Sequence, residues 1–342
     1  MVSFENDYIA GAHPIILQKL AETNMESLSG YGSDKYCASA VRKIKEACEC
    51  EDAQVYFLSG GTQTNAIIID SLLKSYEGVI AADTGHISLH EAGAIEHSGH
   101  KVLSLPSFDG GKIKAGQVEE FLKNFYEDKN HEHMVFPGMV YISYPTEYGD
   151  LYSKEELKSL SEVCREYGIS LFIDGARLGY GLAGKNCDLD LKTIAKNADV
   201  FYIGATKVGA LLGEAVVFTK NNMPGHFLTM VKQKGALLAK GRILGIQFDC
   251  LFTDNLYFKL SHHAISQAEK MIGILKSKGY SFAFQSPTNQ QFIIMENKKI
   301  GELEKKVGFS FWEKYDETRS IVRFATSWST SDEDLAYLEN VL

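Results

Sequence analysis

Short β-branched runs alternate with longer stretches of helical period along most of this 342-residue chain, and that alternation restricts the fold more than any other feature. It calls for an α/β architecture with a mainly parallel sheet, because parallel neighbours are joined by crossover helices. Seven strands are expected, at Val55–Leu58, Val79–Ala82, Val102–Leu105, Met139–Ser143, Ser170–Asp174, Val200–Ile203 and Ala215–Phe218. The clearest helix, Ser153–Tyr167, opens on a serine with Glu156 three residues later, a capping-box spacing, and stops at Gly168.

After Phe218 the pattern becomes mostly helical from about Met223 to Lys278, with breaks expected at Gly235, Gly241 and Gly245. A smaller α/β piece follows, with strands near Gln291–Met295 and Ile321–Ala325 and helices near Lys298–Val307 and Ser331–Leu342. The expected division is 1–240, an N-terminal segment with a large domain, and 241–342, a connecting helix with a small C-terminal domain. No repeat, low-complexity tract or Pro- or Ser-rich linker separates the two, so they are expected to share a packed interface, a preferred place for a pocket.

The balance of 35 Lys plus Arg against 44 Asp plus Glu, a formal net charge of −9, has the wrong sign for a chain that wraps nucleic acid or coats anionic membrane. The first seven residues lack a basic and apolar leader, and no run approaches the ~18 apolar residues of a membrane span, so a cytoplasmic location is expected. Six cysteines without paired two-residue spacing read as reduced structural thiols, not a zinc site or a disulfide framework.

Four local sequences carry chemistry. Phe172-Ile173-Asp174-Gly175-Ala176-Arg177 is an apolar strand ending in an acid, and ligands of parallel sheets bind beyond the carboxyl ends of strands. A carboxylate there needs a cationic partner. That partner is either Arg177, which makes the pair structural, or a protonated ring nitrogen such as the pyridinium of pyridoxal phosphate. Lys207 follows a buried strand among small residues; burial favours the neutral amine that forms a Schiff base, whereas a lysine on a loop can equally snorkel to solvent. Ser59-Gly60-Gly61-Thr62-Gln63-Thr64-Asn65 joins a strand to a helix, either as a phosphate cup or as an ordinary connection. His86 is placed to lie against a cofactor ring; His86, His90 and Glu91 would otherwise start a metal site, but no third ligand at suitable spacing is apparent, and no metal is expected.

Taken in order, these segments resemble the L-threonine aldolases of the aldolase and β-eliminating lyase group, within the aspartate aminotransferase-like (fold type I) pyridoxal phosphate enzymes. The resemblance runs from Asn6-Asp7-Tyr8 and Gly30-Tyr31-Gly32 through Gly61–Asn65, His86–Gly93 and Asp174–Arg177 to Lys207 and Arg323-Phe324-Ala325-Thr326-Ser327-Trp328. It implies a large domain with a mainly parallel seven-stranded sheet and a small C-terminal α/β domain, with pyridoxal 5'-phosphate as cofactor. The implied activity is retro-aldol cleavage of L-threonine or L-allo-threonine to glycine and acetaldehyde through a Lys207 aldimine and a quinonoid intermediate.

By the same resemblance Lys207 forms the internal aldimine, Asp174 holds the pyridine nitrogen, His86 stacks on the ring, and Gly61 and Thr62 form the phosphate cup. Arg177 lies near the phenolic oxygen and the substrate carboxylate, and Arg323 binds that carboxylate from the small domain. Asn6 and Tyr31 line the substrate site, Tyr31 from a neighbouring subunit, and Lys240 and Arg242 approach the phosphate across a dimer interface. A homotetramer or homodimer with shared active sites follows. Glu147, in Tyr144-Pro145-Thr146-Glu147-Tyr148-Gly149, stands where many relatives carry a histidine, and Thr206 stands where many have serine. His86, Glu147 or a water held by them are the candidates for the base that takes the β-hydroxyl proton. The competing readings are a β-eliminating lyase on another β-substituted amino acid and a non-catalytic ligand-binding protein on the same fold; intact Lys207 and Asp174 speak against the latter.

Overall fold

The computed structural model describes residues 2–342. Seven strands, β1 (Gln54–Leu58), β2 (Glu77–Ala82), β3 (Val102–Leu105), β4 (Phe136–Ser143), β5 (Ser170–Asp174), β6 (Val200–Gly204) and β7 (Glu214–Phe218), form one sheet in the order β1-β7-β6-β5-β4-β2-β3. The pairs from β3 through β6 are parallel, and β7 runs antiparallel to both β1 and β6. The seven expected strands are therefore all present, several one to three residues longer than expected.

Alternate residues of these strands go to opposite faces, as a period of two demands. Val140, Ile142, Leu171, Ile173, Phe201 and Ile203 join one core, while Met139, Tyr141, Phe172, Val200 and Tyr202 join the other. Helices cover both faces, and every residue of β6 and β7 is buried. This is why those strands read as nearly continuous apolar runs.

The helix Lys154–Glu166 is capped as its sequence requires. Ser153 Oγ accepts from the Glu156 N–H (3.2 Å), Glu156 Oε2 accepts from the Ser153 N–H (2.7 Å), and Gly168 turns the chain away at φ +67°.

The long helical stretch divides into Phe227–Gln233, Arg242–Leu251 and Leu256–Ser277. Gly245 does not break it: it lies inside Arg242–Leu251, where a Cβ would meet Cys37 Sγ at 2.4 Å and the Cys37 backbone N at 2.6 Å. The residue is glycine because the helix Lys35–Ala47 passes against it, not because the chain turns. The break falls instead at Asp254 and Asn255, both with positive φ.

A second, wholly antiparallel sheet has the order β10-β11-β9-β8, from β8 (Ser281–Phe282), β9 (Gln290–Glu296), β10 (Ser310–Lys314) and β11 (Arg319–Ala325). Its core includes Ile293, Val322 and Phe324 with Met271 and Leu275 from the long helix and Phe4 from the N-terminal segment. That segment is tied in by Phe4 N–H to Gly308 O (2.7 Å) and Ala325 N–H to Phe4 O (2.8 Å). Among the described residues all six cysteines are free, and no helix is long and apolar enough to cross a membrane.

Candidate active site

The carboxyl ends of β1, β2, β4, β5 and β6 open on one cavity of about 570 Å³, closed from the other side by β10, β11 and Tyr8. Because β7 runs against its neighbours, its first residue, Glu214, lies at the same edge. Gly61, Thr62, His86, Glu147, Asp174, Arg177, Lys207 and Arg323 all line this cavity. Residues as far apart in the chain as Tyr8 and Arg323 meet there.

Asp174, at the end of β5, is buried and held by four neutral donors: Tyr202 Oη–H, Tyr141 Oη–H (2.6 Å), Asn65 Nδ2–H (2.9 Å) and the Ala176 N–H (3.0 Å). Burial raises its pKa, but the His86 charge and these donors outweigh it and hold the carboxyl below the ordinary range. Arg177 is not its partner. Its guanidinium grips Asp7 in a fork, Nε–H to Oδ2 at 2.7 Å and Nη2–H to Oδ1 at 3.1 Å. Among the described residues no lysine or arginine lies within ion-pair distance of Asp174, and Arg177 is spent on Asp7, so its charge is held by neutral donors with only His86 as a nearby cation.

His86 follows β2. Its Nδ1 is 2.7 Å from Glu91 Oε1, and its backbone N–H donates to Glu147 Oε1 at 2.8 Å. Burial disfavours its charged form, yet the Glu91 bond and the Asp174 and Glu147 carboxylates prevail and raise its pKa. One ligand atom each from His86, Glu91 and Asp174 lie within 4.8 Å of one another. The third ligand, absent from the local sequence around His86 and His90, thus arrives from β5. Hydrogen bonds already knit this trio: Asn65 Nδ2 donates to both Glu91 Oε1 (2.7 Å) and Asp174 Oδ2.

Lys207 lies in the loop after β6, its carbonyl accepting from Tyr180 Oη–H (2.5 Å) and its Nζ 5.5 Å from the centre of the Tyr8 ring. Burial, then repulsion from Arg177, lowers its pKa against the pull of Asp7, Glu214 and Asp174. The amine is thereby shifted toward its nucleophilic, neutral form. Glu147 follows β4 and is buried; Oε1 takes both Ser143 Oγ–H (2.6 Å) and the His86 N–H. Burial raises its pKa against those bonds.

Arg323 enters from β11. It donates from Nη1 to Gln290 Oε1 (3.0 Å) and from Nη2 to Glu5 O (3.0 Å), sits over the Trp312 ring, and leaves Nε without a partner. Burial, then Arg177, pulls its pKa down to about 10. Arg177 is engaged by the Asp7 carboxylate, whereas Arg323 has no carboxylate partner, which leaves it able to receive one.

Asn6, Tyr31, Lys240 and Arg242 do not line the cavity within one chain. The Asn6 side chain accepts from the Tyr8 N–H (3.1 Å), Arg242 donates to Glu26 O and Asn24 O, and Tyr31 borders a separate groove. The structure adds Tyr141, Tyr202, Glu214 and Trp312, which the sequence did not single out, and gives roles to Asp7, Tyr8, Asn65 and Glu91, which lie in segments it did. Asn65 carried a signal, four residues after Gly61 and so one helical turn inward on the same face.

The family described as beta-eliminating lyase matches residues 4–300. A low specificity L-threonine aldolase of Pseudomonas sp. (strain NCIMB 10558) is 29% identical over 332 residues, covering 96% of this chain and 93% of the relative. The structure of a threonine aldolase from Leishmania major superposes with a TM-score of 0.95 at 44% identity, covering 100% of this chain and 98% of the other. An aspartate aminotransferase variant of Thermus thermophilus shares the fold alone, with a TM-score of 0.70 at 14% identity over 100% of this chain and 96% of its own. With an aspartate aminotransferase-like α/β fold and this match over most of its length, the chain belongs to the beta-eliminating lyase family.

Proposed function

We propose that the protein is a pyridoxal 5'-phosphate-dependent lyase that cleaves L-threonine and L-allo-threonine to glycine and acetaldehyde, as the names of its relatives suggest. The observation that carries this reading is the meeting, in one cavity, of a buried lysine shifted toward its neutral form with a buried, ionised aspartate that no lysine or arginine pairs with. The residues fit the cofactor at both ends. Asp174 offers a charge for a pyridinium nitrogen, and the helix Gly61–Leu72 has no side-chain cap, so its first N–H groups are left to a phosphate. When bound, the cofactor supplies an electron sink for the bond that breaks.

The chain's own groups do the rest. Lys207, buried and shifted toward its neutral form, would provide the amine that holds the cofactor's aldehyde. Asp174 would hold the proton of the cofactor's ring nitrogen, and the His86 ring, fixed through Nδ1 by Glu91, would wall the cofactor site. Arg323 and Arg177 receive the substrate carboxylate and so orient the Cα–Cβ bond. Glu147 takes the β-hydroxyl proton: burial moves its pKa toward neutrality, where a carboxylate works best as a general base, while His86 is biased toward its charged form. Neighbouring subunits complete the site in this reading, with Tyr31, Lys240 and Arg242 contributed across the interface of a homodimer or homotetramer.

The test is direct. Purified protein given pyridoxal 5'-phosphate and L-threonine yields glycine and acetaldehyde, and Lys207→Ala abolishes both the near-visible absorbance of the bound cofactor and turnover. Pyruvate with ammonia as products, or a Lys207→Ala variant that keeps chromophore and turnover, overturns the assignment.

A further inference from the structure

Glu214 opens β7, where the register sets it beside Leu58 of β1 and Gly204 of β6. Those strands run on into the Ser59-Gly60-Gly61 turn and the Ala205-Thr206-Lys207 loop, so the side chain is wedged between the two. It is 3% exposed and lines the cavity. Thr206 Oγ–H donates to Oε1 at 3.1 Å, and the Thr206 oxygen in turn accepts from the Gly213 N–H at 3.1 Å. Oε2 is buried with no hydrogen-bond partner. No cation among the described residues lies within ion-pair distance of Glu214. Burying a carboxyl this way is costly unless it keeps its proton or finds a partner. Burial pushes its pKa up to about 8 against the pull of Lys207, which favours the protonated acid. Because Oε1 is an acceptor, the proton belongs on Oε2, which makes that oxygen a donor with nothing to donate to.

We propose that Glu214 is a third part of the phosphate cup: its Oε2–H donates to a phosphoryl oxygen of the cofactor, while Oε1 holds the Thr206 hydroxyl beside Lys207. The proposal rests on the cofactor reading above. A carboxylate at this position would repel a phosphate, whereas a neutral acid adds a donor to those of Gly61 and Thr62 at the helix start. Glu214 is then a cofactor-positioning residue that touches the phosphate and none of the reacting atoms of the amino acid.

Pyridoxamine 5'-phosphate and pyridoxamine, neither of which can react with Lys207, separate the phosphate contact from the covalent one. Their dissociation constants are measured by fluorescence titration of the full-length protein stripped of cofactor. Glu214→Met, of similar volume but with no donor, should weaken pyridoxamine 5'-phosphate by about tenfold or more, the loss of one hydrogen bond to a charged group, and leave pyridoxamine unchanged. Glu214→Gln, whose amide can donate to phosphate and accept from Thr206, should stay near the wild type for both. Equal weakening of both ligands in Glu214→Met overturns the proposal, and so does a Glu214→Gln variant as impaired as Glu214→Met. Wild-type protein that binds no pyridoxamine 5'-phosphate overturns the cofactor reading and this one with it. Binding by the wild type that Glu214→Met does not alter overturns this assignment alone.

Discussion

Glu147 shows how a single residue acquires a role from its neighbours. One carboxyl oxygen is committed to Ser143 and to the His86 backbone; the other is the one available to a substrate. Glu147→Gln preserves the shape and removes the base, so kcat for threonine cleavage should fall by about 10²-fold or more. Exchange of the glycine α-proton with solvent needs no β-hydroxyl base and should continue near the wild-type rate. NMR of glycine in deuterated buffer checks this, and loss of both reactions to the same degree would remove Glu147 from that role. At this scale the sequence reveals residues that stand at strand ends beside glycine, such as Asp174, because an acid there departs from its apolar surroundings. Tyr141 and Tyr202 were not legible, since an aromatic residue in a buried strand looks like core; they are core, except that each hydroxyl reaches Asp174. Glu91 and Asn65 fall in segments the sequence singles out, but their role in holding Asp174 and His86 was not legible, because their partners lie on other elements.

Among the elements, the positions of the seven strands of the large sheet and the capping of Lys154–Glu166 follow from local sequence, and the breaks in the C-terminal helices follow only in part. Gly235, with φ +69°, marks a turn as glycine usually does. Gly245 marks an approach of two helices, which local sequence does not distinguish from a turn. A Cβ at Gly245 must push Arg242–Leu251 away from Lys35–Ala47, so Gly245→Ala should destabilise the fold by about 1–3 kcal/mol, the usual penalty of overpacking. Adding Cys37→Ala removes the contact with Sγ but not those at 2.6 and 2.8 Å with the Cys37 backbone N and Cα. The second change should therefore fail to restore the urea midpoint, and full restoration would show the clash to be one of side chains only. The edge strand β10 is the element whose omission from the sequence reading mattered most, because it carries Ser310, Phe311 and Trp312 into the cavity. Its alternation is short and its outer face exposed, with Phe311 60% accessible, so it lacks the apolar run that betrays a central strand.

Across the whole molecule, one buried carboxylate links three parts of the chain. Asp7 of the N-terminal segment accepts from Arg177 beyond β5 and from Asn289 Nδ2 (2.9 Å) at the start of β9. Replacing it with asparagine leaves the Arg177 charge uncompensated, and removal of one partner of such a pair costs about 3 kcal/mol. Burial acts against the Asp7 charge, but Arg177, Lys207 and Asn289 hold its pKa below an ordinary 3.8. A depressed carboxyl contributes fully above its unfolded value and loses that contribution as pH falls through its folded value. The gap in urea midpoint between wild type and Asp7→Asn should therefore stay constant from neutral pH down to about 5 and narrow below 3.8; a gap of the same size in strong acid would remove Asp7 charge as its source. By itself the sequence determined the two-sided sheet, the order of its strands along the chain, and the lysine, acid, histidine and glycine turn at their ends, because these are set by periodicity and residue type within a few neighbours. Only the tertiary structure decided that Arg177 pairs with Asp7 and not Asp174, that β7 turns back to bring Glu214 to the cavity, and that β10 closes it. Those outcomes depend on which distant segments meet, and two buried charges settle on a partner by distance in space rather than by spacing along the chain.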